Sequence, residues 1–343
     1  MTPTQPSPAL PLAGKEHESA ARKPLPRLHY LRSKEPPRPW TYSLYSLEHA
    51  FHQAGVSAVS SWMTAPDNLL ANAIYKYRWM WNFRRSSAGP VFVSYMGYVE
   101  KKTFPFSYWT EIIPYAFDCW PITYDWWASF YRRERTRIAF LTARQAAEHF
   151  SHRFPDTTVR WLPEAVDPDE YNPSRPLAER EIDVLEMGRR YEPYHARITD
   201  KLSQANCVHV YDRRGVKSVF GSRADLVDGL SRTRILVCFP RSITNPEVAQ
   251  GVETVTYRYF QAMASKCLMV GHGPRELIDL FGYNPVLQVE DGSELAQLEW
   301  ILRNLSSFSG LVERNYARLR EVGTWKCRVE TVLDVLRQHP AFC

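Results

Sequence analysis

The chain has 343 residues, 44% of them hydrophobic and 23% charged, a balance that suits a soluble globular protein and excludes a fibrous or wholly disordered one. Its net charge of +6 sits mostly at the front: residues 1–40 carry seven Lys/Arg against three Asp/Glu, leaving 36 against 34 in the rest. The body is therefore near neutral, which argues against a nucleic-acid partner, and the length predicts two domains rather than one core.

Residues 1–26, rich in proline, alanine and charge, predict a disordered tail. RLHYLR (27–32) reads as a first strand, followed by a helix from about Thr41 with Leu44, Leu47, Phe51 and Ala54 at helical spacing and Gly55 as its stop. Val56–Ser60 reads as a strand, a helix is expected from Pro66 with Thr64 as its cap, and VFVSY (91–95) and IAFLT (138–142) read as strands. A helix near 143–153 and a strand at 158–162 complete the first half. Residues 163–180 carry four prolines and five acids without periodicity, which marks a linker between domains.

The alternation then restarts: strand 182–187, a helix with Tyr194, Ile198, Leu202 and Ala205 on one face, strand 207–211, a helix opened by Ser222, and strand 235–239. A helix from about Thr254, strand 267–270, a helix from Pro274, strand 285–289 and two or three terminal helices follow. Strands alternating with helices predict parallel sheets covered on both faces. The predicted fold is α/β, with two Rossmann-like doubly wound domains facing a cleft and helices at the C-terminus. The first domain spans 27–162 and the second 181–343, and ligands are expected beyond the carboxyl ends of the strands.

The six cysteines (Cys119, Cys207, Cys238, Cys267, Cys327 and Cys343) show no C-x-x-C pair and no metal-ligand spacing. That predicts free thiols in a reducing compartment and no metal. Prolines at 3–11 break any basic-then-apolar leader. The aromatic stretch Phe104–Tyr131 is interrupted by Glu111, Asp118 and Asp125, so it does not read as a membrane span. The expected location is the cytoplasm. Arg132, Arg133, Arg135 and Arg137 either face solvent or meet anionic lipid, which leaves peripheral contact with an inner membrane open.

Candidate site residues come from the strand-to-helix junctions. Gly188, Arg189 and Arg190 follow the first strand of the second domain, where a glycine lets backbone approach a ligand and guanidiniums grip a diphosphate. His195 and Arg197 are lesser candidates a turn further on. Glu253 precedes the helix carrying Thr256, Arg258 and, eight positions after Glu253, Gln261. That helix N-terminus suits a phosphate, although Glu253 taken alone is better explained as a partner of the helix dipole. Gly271-His272-Gly273-Pro274 forms another such junction, but it is no dinucleotide fingerprint. In the first domain Asp118 stands in AFDCWP, a strand-like run ending in proline, either as a general base or as a turn cap. Nine of the eleven tryptophans lie between Trp40 and Trp161; most are expected in the core, with Trp109, Trp126 or Trp127 as an aromatic floor for an acceptor. No Asp-x-Asp, Gly-x-Ser-x-Gly or Walker loop is present.

Residues 182–305 resemble the C-terminal domain of GT-B glycosyltransferases, of the group 1 and CgeB-like families. The Gly188-Arg189 turn matches their diphosphate-binding turn, and Glu253-x7-Gln261 before Ala262-Met263-Ala264 matches their Glu-x7-Glu. The segment VRWLPEAVDPDEYNP is similar to their interdomain link. The resemblance implies metal-independent transfer of a hexose-like sugar, with no cofactor, from a nucleotide-sugar donor to a glycan, lipid-linked or small-molecule acceptor. It implies that Glu253 touches the donor sugar and Gln261 the ribose. Two departures stand: glutamine replaces the second glutamate, and the family lysine after Gly-Arg has no counterpart. Retention or inversion stays open. Rival readings are a nucleotide-sugar epimerase of the same architecture and a degenerate GT-B binding subunit. The missing glycine fingerprint argues against an NAD-dependent oxidoreductase.

Overall fold

The computed structural model describes residues 28–32, 41–60, 89–96, 103, 106–108, 110–212 and 219–340. The tail 1–26, the helix expected from Pro66, Trp109 and Cys343 lie outside them.

Six parallel strands build the first sheet: β1 (His29–Leu31), β2 (Ser57–Val59), β3 (Val91–Met96), β4 (Ile112–Phe117), β5 (Ile138–Leu141) and β6 (Thr158–Trp161), in the order β2-β1-β3-β4-β5-β6. Their near-continuous apolar runs follow from burial on both faces. Val91, Val93 and Tyr95 join one core with α2 (Tyr124–Glu134) and α3 (Arg144–Arg153). Phe92, Ile113, Tyr115 and Phe140 join another with α1 (Tyr42–Gln53) and the last helix, α12 (Trp325–Gln338). Although α12 comes last in the sequence, Trp325, Val329, Val332 and Leu336 thus pack on the first sheet. Strand β4 and helix α2 are additions to the predicted elements. Pro114 sits mid-strand opposite Val93, and pairing with β5 begins only at the next residue, Tyr115, as expected of a residue without an N–H.

The second sheet holds β7 (Ile182–Glu186), β8 (His209–Tyr211), β9 (Thr233–Cys238), β10 (Leu268–Gly271) and β11 (Leu287–Gln288), parallel throughout and ordered β11-β10-β9-β7-β8. One face packs on α5 (Arg223–Ser231), α8 (Tyr257–Ala264) and α9 (Arg275–Phe281). The other packs on α4 (Glu192–Gln204), α10 (Glu294–Arg303) and α11 (Ser309–Val322). Two short helices, α6 (Arg241–Thr244) and α7 (Pro246–Ala249), follow β9. Ser222 caps α5 through its hydroxyl, which accepts the Asp225 N–H at 3.1 Å, the role its position predicts. The order makes β7 the strand on whose two sides the chain switches direction, and the loops after β7 and β9 border that switch point.

Residues 163–180 run between the sheets and are held at both ends by buried arginines. Arg328 of α12 donates to the Pro163 carbonyl at 2.9 Å. Arg180 donates to the carbonyls of Arg175, Thr233 and Ser265. Among the described residues no helix is long and apolar enough to cross a membrane, and the five described cysteines are free thiols.

Candidate functional site

At the carboxyl end of β7 the chain must turn sharply, and Gly188 does so at φ +70°, a region that disfavours a side chain. Its N–H donates to Asp212 Oδ2 at 2.6 Å, and a Cβ there would lie 3.4 Å from the Arg258 guanidinium. Arg258, in the first turn of α8, donates to the Arg189 carbonyl at 2.8 Å. Gly188, Arg189 and Arg258 are thus one group. Arg241 of α6 joins it from the neighbouring loop after β9. Arg189 is exposed by surface area, yet neighbouring atoms partly desolvate its guanidinium, and Arg241 and Arg258 repel it, so it is held down to about 10, with Asp118 opposing.

Asp118 comes from the first sheet. It follows β4 at φ 51°, and its carboxylate lies 3.6 Å from Arg241 Nη1. Arg241 also stacks on Trp120, 4.9 Å from the ring centroid. A carboxylate of one sheet therefore faces guanidiniums of the other.

The second group gathers at the end of β10. Glu253 accepts the Arg275 N–H at 3.1 Å, at the start of α9, and lies 3.5 Å from His272 Nε2. Its own N–H donates to Gln145 of α3 at 2.7 Å. Gly271 adopts φ +146° against the Cys238 backbone, and the His272 carbonyl accepts the Tyr259 hydroxyl at 2.6 Å. Gly273 packs against Asn284. Helix α8 links the two groups, since Arg258 reaches one and Tyr259 the other.

Three sequence candidates stand differently from expectation. Arg190 is engaged structurally: it donates to the Asp212 carbonyl and to Glu192 and lies over Tyr211. Gln261 is buried in the core, where its amide donates to the Tyr171 hydroxyl at 3.3 Å. The helix begins at Tyr257, with Thr256 as N-cap. Glu253 therefore lies in the preceding loop, and a helical spacing of eight residues does not relate it to Gln261. Thr256 makes no side-chain cap bond, and its hydroxyl is buried without a partner. Of the aromatic candidates, Trp127 is core and Trp126 is exposed beside it.

Two acids escaped the sequence reading. Glu164, in the linker, accepts the Tyr257 N–H at the start of α8. Burial first, and then the Asp118 charge, push its carboxyl up to about 8, against the pull of that N–H and of Arg258. Glu276 accepts the N–H groups of Arg144 and Val255, tying α3 to the loop before α8, and burial likewise pushes it up to about 8. A carboxyl raised in the folded state favours the protonated form. The stability it supplies is complete below its unfolded value of 4.5 and is lost as pH rises through about 8. The wild-type unfolding midpoint should accordingly fall from about pH 6 to about pH 9, and less steeply in Glu164→Gln. Equal slopes would show that Glu164 is ionised throughout.

No protein-family model matches the sequence, and no curated protein matches it. Solved structures match the fold. Anabaena HepE, in complex with UDP and glucose, is 8% identical at TM-score 0.58, over 92% of this chain and 100% of the other. Sucrose-phosphate synthase from Thermosynechococcus elongatus is 11% identical at 0.55, over 91% and 98%. AviGT4, a glycosyltransferase involved in avilamycin A biosynthesis, is 12% identical at 0.51, over 91% and 96%. At these identities it is the architecture that is shared: the chain has the GT-B fold, two Rossmann-like units built on parallel sheets.

Proposed function

We propose that this chain is a glycosyltransferase that moves a sugar from a nucleoside diphosphate to an acceptor. The observation that carries the reading is the convergence of Arg189, Arg241 and Arg258 at the switch point of the second sheet, facing Asp118 of the first. Three guanidiniums there can hold a diphosphate by forked hydrogen bonds. They also neutralise it as it leaves, which is where such a reaction needs positive charge. The structures that share the fold include one holding UDP and glucose, which supports a nucleotide-sugar donor.

In this reading the donor diphosphate displaces Asp118 as partner of Arg241, and Gly188 leaves room for its approach. Glu253 and His272, at the neighbouring strand end, contact the transferred hexose. Transfer proceeds without a metal at the diphosphate, since the arginines supply the charge. Asp118, freed from Arg241, serves as base toward an acceptor hydroxyl. The acceptor is a glycan or lipid-linked molecule, reached in the cytoplasm or at the inner face of a membrane. Polysaccharide synthesis fits such an acceptor.

A thermal-shift panel of nucleoside diphosphates and their sugars tests the donor. A ligand present at 100 times its dissociation constant should stabilise the fold by about 2.7 kcal/mol, and Arg189→Ala should cancel that shift. A panel without any stabilising member would remove the reading. An epimerase of the same architecture also fits ionisable groups on both sheets (Asp118 against Glu253 and His272). Turnover of a nucleotide sugar without acceptor separates the two.

A further inference from the structure

Apart from the arginine group, a second constellation closes β7 on its other face. Glu186 is buried, and one of its oxygens, Oε1, lies 2.6 Å from His195 Nδ1 and 2.9 Å from His209 Nε2. One ligand-capable atom from each residue lies within 4.8 Å of the other two. The three side chains come from β7, the first turn of α4 and the start of β8, so separate elements converge on one point. Tyr211 packs against both imidazoles, with ring centroids 4.6 and 4.9 Å away. Among the described residues, Glu186 has only these imidazoles as ion-pair partners. A buried carboxylate ordinarily has a cation to balance it, and here no arginine or lysine takes that place.

We infer that Glu186, His195 and His209 form a structural site for a first-row divalent cation, with zinc the best match. Two imidazole nitrogens and one carboxylate oxygen are a ligand set that zinc accepts, with a water as the fourth ligand. Bonds of about 2.0–2.2 Å in a tetrahedron separate ligand atoms by roughly 3.3–3.5 Å. The two separations from Glu186 are hydrogen-bond lengths and the third ligand pair lies within 4.8 Å, so loading asks the rings to shift by about an ångström or less. The Thr199 hydroxyl donates to the His195 carbonyl at 2.7 Å and lies against the imidazole, 3.1 Å from Nδ1 and 3.2 Å from Nε2.

The consequence is mechanical. A cation here clamps α4 and β8 to the end of β7, two residues before Gly188, whose N–H hangs on Asp212 just after β8. His195, a lesser phosphate candidate from the sequence, is held here by Glu186, and the site uses none of the residues assigned to the donor under the proposed function, so it stands or falls separately from the glycosyltransferase reading.

The test uses the full chain, purified without chelator and without a metal-affinity tag. Elemental analysis should find one zinc per chain. The stripped protein should regain its unfolding midpoint with zinc and show the visible absorption of tetrahedral cobalt with Co²⁺. Glu186→Gln combined with His209→Asn should weaken zinc binding at least about 100-fold. Zinc affinity and midpoint shift equal in wild type and the double variant would overturn the site, as would the absence of any metal effect on wild type. Donor-induced stabilisation, measured in the same samples, reports on the sugar-transfer reading independently.

Discussion

Replacing Arg241 by alanine is expected to lower kcat/KM for sugar transfer by about 10²- to 10³-fold, the usual cost of removing one preorganised charge from a reacting anion. Arg241 is placed by the fold rather than by its neighbours in sequence. It follows β9 at the switch point, lies 3.6 Å from Asp118, and stacks over Trp120. Its loss removes one of three guanidiniums and also frees Asp118. The two effects separate in a double-mutant cycle with Asp118→Asn. A penalty that persists when Asp118→Asn is already present belongs to the diphosphate, and one that disappears means that Arg241 acts by holding Asp118. Arg241→Lys keeps the charge without the fork and should recover only part of the rate. The unfolding midpoint should barely move, because Asp118 is about half exposed and such pairs contribute little. Wild-type kcat/KM in Arg241→Ala would refute the arginine clamp.

Much of the fold was legible because the strands are short apolar runs bounded by turn residues, as in VFVSY and ILVCF. The exceptions have identifiable causes. Strand β4 contains Pro114, which by rule argues against a central strand, and it lies in an aromatic stretch whose core and surface rings look alike in sequence. At the site, the search for glycine at strand-to-helix junctions located Gly188 and the 271–273 turn. It passed over Arg241 because FPRSIT contains no glycine. Glu164 was hidden among the five acids of the linker, where every carboxylate looks solvated. Only the closure of the linker against α8 separates it from the rest. Gln261 was read from its spacing to Glu253 as though both lay on one helix. The helix starts at Tyr257, so that ruler failed. Arg190 shows the opposite error: two adjacent arginines point in different directions from a turn, and only one of them faces the crevice.

Gly271→Ala should be among the most destabilising single substitutions in the chain, costing at least about 4 kcal/mol in urea unfolding. Two penalties combine. The backbone at Gly271 has φ +146°, which side chains rarely adopt, and an added Cβ would sit 2.0 Å from the Cys238 carbonyl oxygen and 2.7 Å from its carbon. The obstacle is backbone, so no rotamer change relieves it. Gly271 pairs with Cys238 in the ladder, and moving the strands apart would strain the bonds from His272 N–H to the Cys238 carbonyl (2.9 Å) and from Val289 N–H to the Gly271 carbonyl (3.0 Å). Gly282 provides the control. It caps α9 at φ +80° with nothing within 4 Å of its Cβ direction. Gly282→Ala should therefore cost only the left-handed strain, about 1–2 kcal/mol. Equal costs at the two positions would show that the crowding at Gly271 is not real. If the Gly271→Ala protein still folds at low temperature, its donor-induced stabilisation should be lost. His272 and Glu253 take their positions from this strand end, and the widening needed to admit one methyl group exceeds the tolerance of a site that holds a sugar by hydrogen bonds.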